Sequence, residues 1–150
     1  MLRCYIVMAS FTRAFAKTVA AEGGYVNNPN DKGGETYMGI TRKNHSKLKM
    51  WATIDKLKTT LTKRELNAAL KKDGDVQAEV RIVYKTNYWD PLKLDDINSQ
   101  PIANQFFDVS VNCGLKAAIK MMQRIANLPQ TGRMNTQTID YYVRKYKRKG

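Results

Sequence analysis

A succession of short amphipathic segments fills the chain from about residue 60 to the C-terminus, and this pattern constrains the fold more than any other feature. Thr62 and Glu65 form a capping box ahead of one helix, and Asp75 is placed to cap the next. That second helix must end before Pro91, because proline lacks the amide hydrogen that a continuing helix needs. The pattern predicts a chain that is mainly α.

The later helices follow from the same kind of signal. Ser99 with Pro101 opens a helix that carries Cys113 near its end, and a further helix is expected over residues 116–127. A final helix is expected from about Asn135. The apolar period places Cys113 inside as a small apolar group, and it turns Ile125 of the following helix inward as well.

The N-terminal part alternates between regular and irregular segments. Ser10 is placed to cap a first helix, which Gly23–Gly24 would stop. Residues 27–34 are dense in Asn, Asp, Gly and Pro and must form a loop, and alternating apolar residues over 36–40 predict a short strand. The expected fold class is therefore mainly α with a small β element near residues 34–41.

The charge balance points to an anionic partner. Lys and Arg number 26 against 13 Asp and Glu, which gives a formal net charge of +13. Clustered positive charge attracts polyanions, so nucleic acid, anionic lipid and the acidic bacterial cell wall are all compatible partners. No apolar run approaches the roughly 20 residues that a transmembrane helix requires.

The residue counts exclude several kinds of active site. The chain has one histidine, His45, in a polar stretch where a surface position is expected. Its two cysteines, Cys4 and Cys113, are too few and too far apart for a zinc site or a disulfide framework. Hydrolytic chemistry would have to rest on carboxylates, hydroxyls and amides.

Glu22 is the most unusual carboxylate. It follows Phe15 and Val19 by seven and three residues, so it shares their apolar stripe and should point toward the protein body. Burial and the negative end of the helix dipole would both raise its pKa, as a general acid near neutral pH requires. The alternative is a glutamate that reaches solvent at a frayed helix end.

The segment after Glu22 is rich in polar side chains on a glycine-containing backbone. They are Tyr25, Asn27, Asn28, Asp31, Glu35, Thr36 and Tyr37. Such groups can recognise a sugar, and a second carboxylate or a hydroxyl could position water or stabilise an oxocarbenium-like transition state. By spacing, Asp31 and Thr36 are best placed for that role, with Glu35 in reserve.

Three segments in order carry a family resemblance. They are Glu22–Asn27 with the following Pro29, Asp31 and Gly33–Thr41; Tyr88–Leu92; and Phe106–Gly114. Together they closely resemble glycoside hydrolase family 108, a lysozyme-superfamily group of phage and bacterial N-acetylmuramidases. The resemblance extends over roughly residues 11 to 143.

The resemblance implies that Glu22 is the catalytic acid, assisted by Asp31 or Thr36. It also implies that four later residues line or support the glycan cleft, namely Tyr88, Trp89, Asp108 and Asn112. The residues alone leave alternatives, since a large aromatic before a proline is often core and an i, i+4 polar pair can serve a structural hydrogen-bond network. Relatives bind no metal or organic cofactor, so we expect none.

The resemblance further implies one lysozyme-like α+β domain over residues 1–150. Its catalytic part would cover about 10–95, and a helical, peptidoglycan-binding-like part would cover about 96–150 and pack on it. We expect a monomeric phage or prophage endolysin that cleaves the bond between N-acetylmuramic acid and N-acetylglucosamine. It would be made in the host cytoplasm without a cleaved signal peptide and would act on the cell wall.

Two other functions stay open. The positive charge would suit a non-enzymatic nucleic-acid-binding protein, although no nucleic-acid-binding motif is present and no specific nucleic acid is expected. A family member could also bind the cell wall, or aid secretion, without cleaving it.

Overall fold

The computed structural model describes residues 8–19 and 23–147. Within these residues the helices are α1 Phe11–Thr18, α2 Met50–Leu57, α3 Lys63–Lys72, α4 Gly74–Tyr84, α5 Gln100–Cys113, α6 Leu115–Ile125 and α7 Thr136–Lys145. The strands are β1 Tyr25–Asn27, β2 Glu35–Tyr37 and β3 Ile40–Thr41. A π-helical turn, Lys85–Trp89, and two 3₁₀ turns, Asp90–Leu92 and Leu94–Asp96, connect α4 to α5. The predicted class, mainly α with a small β element, is confirmed.

The chain forms two compact units, one comprising Met1–Ala20 with Tyr84–Gly150 and the other Ala21–Val83. The first is called the helical unit below, and the second is called the sheet unit. Within the described residues, no helix combines the length and the apolarity that crossing a membrane would demand. The division expected near residue 95 stays a prediction.

The sheet unit contains an antiparallel sheet in the order β1-β2-β3. The single strand predicted over residues 36–40 is wrong, because Met38 and Gly39 form a tight turn between β2 and β3. Both residues have positive φ, at 47° and 78°, which is the geometry of the two-residue turn that matches strand twist. Strand β1 was not predicted, and it pairs with β2 so that Val26 lies opposite Thr36.

The helices of the sheet unit are capped by both local and distant groups. The predicted capping box of α3 is confirmed, with Thr62 and Glu65 bonding reciprocally. Asp75 does not cap α4; the Asp73 carboxylate accepts the amide hydrogens of Asp75 and Val76 instead. Helix α2 was not predicted, and the carboxylate of Glu79 caps it from α4 by accepting the first amides at 2.8 and 2.7 Å.

An aromatic cluster forms the core of the helical unit. The rings of Phe11, Trp89 and Phe107 contact one another, with centroids 5.7 to 5.8 Å apart. Ser10 occupies the N-cap position of α1, but its side chain makes no capping bond. Its backbone is held by Gln100, which accepts from the Ser10 amide and donates to the Ser10 carbonyl.

A buried amide organises the C-terminal part of the helical unit. Gln123 is fully buried in α6, and its side chain donates to the Arg133 carbonyl and accepts from the Gly132 amide. The prediction that Ile125 faces inward is wrong, because Ile125 is 49% exposed. The helix turns Gln123 inward instead, since this side chain forms hydrogen bonds with backbone groups of the loop that precedes α7.

Cys113 was predicted to be buried, and this is wrong: it is exposed. The buried residues of α5 are Ala103, Phe106, Phe107 and Ser110, so the inward stripe of the helix ends one turn before Cys113. Pattern alone misassigned the last turn, because a helix end often extends past the core that its middle covers.

Candidate functional site

Glu22, the predicted catalytic acid, lies outside the described residues. Two residues further along the chain, Gly24 packs directly against α3. A Cβ on Gly24 would lie 2.3 Å from the Asn67 side-chain oxygen, so a residue with a side chain would displace Asn67. Asn67 also accepts the amide hydrogen of Tyr25 at 2.8 Å and thereby fixes the start of β1. The chain just after Glu22 is therefore held by a specific contact.

The small sheet separates the predicted site residues onto two faces. Side chains alternate along a strand, so Thr36 faces away from Glu35 and Tyr37. The face with Tyr25 and Tyr37 is the buried one, at 9% and 2% exposure. The other face carries Val26, which is 43% exposed, opposite Thr36.

Asp31 lies in the loop between β1 and β2. It is exposed, and one carboxylate oxygen accepts the Gly33 amide at 3.1 Å, as in an Asx turn. That oxygen and the Thr41 methyl group both lie within 4 Å of the point where a Cβ on Gly33 would stand. Thr41 pairs with Thr36 across β2 and β3, so the side chains of these two threonines lie on the same face of the hairpin.

Thr36 is half-buried on β2. Its hydroxyl donates to the Gly34 carbonyl at 3.3 Å, which is long for a hydroxyl hydrogen bond. A weak bond of this kind leaves the hydroxyl free to turn toward another acceptor. Thr36 thus offers a hydroxyl on the solvent-facing side of the sheet, and Asp31 offers an exposed carboxylate in the loop before β2.

Glu35 belongs to a different arrangement, a cluster of four charged side chains. It accepts from Arg42 at 2.8 Å and pairs with Lys58 at 3.0 Å. Asp55 pairs with the same two cations, at 2.7 and 2.9 Å. Two negative and two positive charges therefore balance one another, and Glu35–Arg42–Asp55–Lys58 is called the charge cluster below.

Tyr25 completes the surroundings of Glu35. Its hydroxyl donates to Glu35 at 2.7 Å. Burial of the Tyr25 ring, followed by the neighbouring carboxylate, raises the pKa of this phenol above its usual value. Because Tyr25 stays protonated, its hydroxyl keeps donating to Glu35. This hydrogen bond helps to hold β1 in place.

The charge cluster keeps both of its carboxylates ionised. Burial alone would raise the pKa of Glu35, but hydrogen bonds from Arg42, Tyr25 and Lys58 outweigh it and leave the pKa below its ordinary value. Hydrogen bonds from Arg42 and then Lys58 hold the pKa of Asp55 well below its usual range. A carboxylate in this state is a poor proton donor, so the chemistry of Glu35 is that of a fixed negative charge.

Tyr37 is also buried on the core-facing side, where its hydroxyl accepts from Gln77 of α4 at 3.0 Å. Asn27 is exposed at the end of β1, directly opposite Glu35. Of these two predicted sugar-binding residues, Asn27 is open to a ligand, and Tyr37 supports the sheet from within.

The predicted residues of the helical unit have different surroundings. Trp89 is completely buried, and its indole donates to Asp95 at 2.8 Å. Tyr88 is half-buried, with its ring 5.6 Å from that of Tyr84. Buried as it is, Trp89 can support a cleft from inside the core.

Asp108 and Asn112 are exposed on α5, one turn apart. The Asn112 amide donates to the carbonyl of Asp108 at 2.9 Å and to its carboxylate at 3.2 Å. The Thr18 hydroxyl approaches the same carboxylate at 3.4 Å. The pair forms a local surface network, and both side chains keep hydrogen-bonding capacity facing solvent.

The family profile described as glycosyl hydrolase 108 matches residues 15–114 of the chain. The chain belongs to this family. The matched range contains Glu22, the loop of Asp31, the sheet, and the segments around Trp89 and Asp108.

A solved structure supports the same assignment. The structure of SagA from Brucella abortus is similar to this chain, with 30% sequence identity and a TM-score of 0.57. The match covers 90% of this chain and 68% of the SagA chain. None of the curated proteins matches the chain.

Membership of the glycosyl hydrolase 108 family implies a lysozyme-like glycosidase that hydrolyses peptidoglycan. The structure shows residues around the predicted site residues that pattern reasoning missed. Four residues support β1 and β2, namely Arg42 just after β3, Asp55 in α2, Lys58 just after α2, and Asn67 in α3. No local pattern indicated them, because Lys58 pairs with Glu35 across 23 residues and Asn67 bonds to Tyr25 across 42.

Because of the charge cluster, we expect the sheet unit to lose stability in acid. Because the folded-state pKa values of Glu35 and Asp55 lie below their unfolded values, the cluster stabilises the fold above about pH 5. That stabilisation is lost as the pH falls through the unfolded values of about 4 toward the folded ones. Glu35→Gln should lower the free energy of unfolding by about 1–2 kcal/mol at pH 7, and by much less at pH 3.

Urea unfolding of both proteins at several pH values measures this difference. Asp96→Asn is the matched control, because Asp96 is exposed and outside the ion pairs of the described residues. It should follow the wild type at every pH. An equal loss for Glu35→Gln at pH 3 and pH 7 would show that the cluster's charges contribute nothing.

Proposed function

We propose that this chain is an N-acetylmuramidase that hydrolyses the bond between N-acetylmuramic acid and N-acetylglucosamine, with Glu22 as the general acid. The observation that carries the proposal is the family match over residues 15–114, which contains Glu22 and the polar loop after it. A glycosidase needs one carboxylic acid to protonate the leaving oxygen and a second group that activates water or stabilises positive charge. Glu22 is the first of these in our proposal.

Asp31 supplies the second group in this proposal, with Thr36 beside it. Asp31 is exposed and has one carboxylate oxygen without a bond to the described residues, so it can accept a proton from water or face a developing positive charge. Thr36, five residues later, offers a weakly bound hydroxyl. Glu35 serves as support, because Arg42, Lys58 and Tyr25 already use its carboxylate oxygens.

The biological setting is part of the proposal. A phage or prophage endolysin meets peptidoglycan as a large anionic network, and the +13 charge would hold the enzyme on it. We propose that it acts on the wall as a monomer without specific binding of nucleic acid. The helices from about residue 96 onward would contribute further contacts with the glycan.

Digestion of purified peptidoglycan tests the proposal directly. After borohydride reduction, mass spectrometry of the soluble products identifies the sugar at each new reducing end. A muramidase gives reduced N-acetylmuramic acid, whereas a glucosaminidase gives reduced N-acetylglucosamine. A lytic transglycosylase gives anhydromuramic ends that are lighter by one water and resist reduction. Only the first product set agrees with the proposal, and a wall-binding protein would release no fragments.

A further inference from the structure

A groove of about 240 Å³ lies in the sheet unit beside the edge strand β1. It is lined by Tyr25, Asn27, Lys58, Leu61, Lys63 and Leu66. Pockets that enclose a whole small-molecule ligand usually measure roughly 300–1,000 Å³, so this groove suits a single branch of a larger molecule. None of the site roles considered above uses Lys63, Leu61 or Leu66.

The groove is positively charged among the described residues. The charge of Lys58 is balanced inside the charge cluster, where it pairs with Glu35 and Asp55. Within the described part of the chain, no carboxylate lies within ion-pair distance of Lys63. The nearby carboxylate of Glu65 is occupied by the Thr62 amide in the capping box. Lys63 is exposed, and its ammonium group is available to an anion.

The remaining lining defines the rest of the ligand. Leu66 is buried and Leu61 is half-buried, so the groove has an apolar wall that would favour methyl groups. Asn27 is exposed and carries both a donor and an acceptor, which matches an amide. A ligand with a carboxylate, an amide and a methyl group close together fits this combination.

We propose that the groove binds the lactyl–peptide branch of an N-acetylmuramic acid residue. Lys63 pairs with a carboxylate of the branch, Asn27 bonds to its amide, and the two leucines contact its methyl groups. The inference rests on the proposed function, because this branch is what distinguishes N-acetylmuramic acid from N-acetylglucosamine. Tyr25 follows Glu22 by three residues, and three residues of chain span at most about 11 Å. The groove therefore begins close along the chain to the proposed acid.

Calorimetric titration of the full chain with N-acetylmuramyl-L-alanyl-D-isoglutamine tests the site without any hydrolysis. The ligand carries the lactyl–peptide branch and one free carboxylate. We expect the wild type to bind it more tightly than either its fully amidated analogue or N-acetylglucosamine. Lys63→Gln should weaken binding roughly fivefold, as for loss of an exposed ion pair, and should leave the affinity for the amidated analogue unchanged.

Two further variants separate charge at this site from charge elsewhere. Lys63→Arg keeps the positive charge and should bind nearly as well as the wild type. Lys71→Gln removes an exposed lysine from the other end of the same helix and should change nothing. Equal binding by Lys63→Gln and wild type would overturn the assignment, and so would an equal loss in Lys71→Gln.

The experiments distinguish failure of the groove assignment from failure of the catalytic proposal. If the wild type releases no muropeptides but binds the muramyl peptide through Lys63, the groove assignment stands and the muramidase proposal fails. If the wild type gives muramidase products but Lys63→Gln binds the muramyl peptide as tightly as the wild type, the enzyme proposal stands and the groove assignment fails.

Discussion

Glu22→Gln should abolish nearly all hydrolysis of peptidoglycan while leaving the protein folded. Glutamine has almost the same shape as glutamic acid, but its amide has no proton to give to the leaving glycosidic oxygen. General acid catalysis contributes about 10²- to 10⁴-fold to the rate, and the variant should lose activity by a factor in that range. The measurement is the initial rate of turbidity loss of outer-membrane-stripped Gram-negative cells.

The control for this experiment is Glu65→Gln. Glu65 is exposed on α3, and glutamine can replace it in the capping box, so both stability and lysis should stay close to wild type. Circular dichroism melting of all three proteins shows whether Glu22→Gln folds. Wild-type lysis by a folded Glu22→Gln protein would remove Glu22 from the mechanism and would leave the general acid to be found elsewhere.

Trp89→Ala should cause the largest loss of stability of any single substitution considered for this protein. Trp89 is 0% exposed, and its ring contacts both Phe11 and Phe107. Replacement leaves a cavity in the aromatic cluster and an unpaired Asp95, at a cost of about 3–5 kcal/mol. This loss is a large fraction of the roughly 5–15 kcal/mol that stabilises a small domain, so the variant should unfold at a clearly lower temperature and urea concentration. Urea denaturation measures the difference.

Trp89→Phe distinguishes a core role from a direct glycan contact. This variant keeps an aromatic ring in the cluster but loses the bond from the indole to Asp95, so it should cost about 1–2 kcal/mol. Because the side chain has no exposed surface, KM and kcat at 25 °C should stay within about twofold of wild type. A large rise in KM with unchanged stability would place Trp89 in contact with the glycan.

The features that the sequence predicted correctly are local ones. The capping box of α3 and the start of α7 at Asn135 each depend on side chains three residues from their partners. Such bonds form within one helical turn, so spacing and residue type are enough to identify them. The fold class followed from a series of these local signals.

The features that the sequence failed to predict depend on distant partners. Glu79 caps α2 from a position about 30 residues further along the chain, and nothing near Met50 indicates where that helix begins. Asp75 had the right residue type for a cap, but Asp73, two residues earlier, takes that role. Choosing between two neighbouring aspartates requires the backbone geometry of the turn.

For the candidate site, the sequence identified residue types but not their surroundings. Asp31, Glu35 and Thr36 were grouped by proximity along the chain, yet the hairpin separates Thr36 from Glu35 onto opposite faces. Arg42 and Lys58 form ion pairs with Glu35 and hold it as a fixed negative charge. The turn at Met38 and Gly39 sets this register. Met38 has a positive φ, which is uncommon for methionine, so its residue type does not suggest the turn.

The buried Gln123 has a consequence for how this protein can be altered. Its side chain accepts from the backbone amide of Gly132 and donates to the carbonyl of Arg133, and it also donates to the hydroxyls of Thr131 and Thr138. The exposed side chain of Arg133 is not part of that attachment. A different side chain can therefore replace Arg133 while the path of the loop backbone stays the same. Adding or deleting a residue there would shift the two backbone groups away from Gln123, so position 133 tolerates a change of side chain more readily than the loop tolerates a change of length.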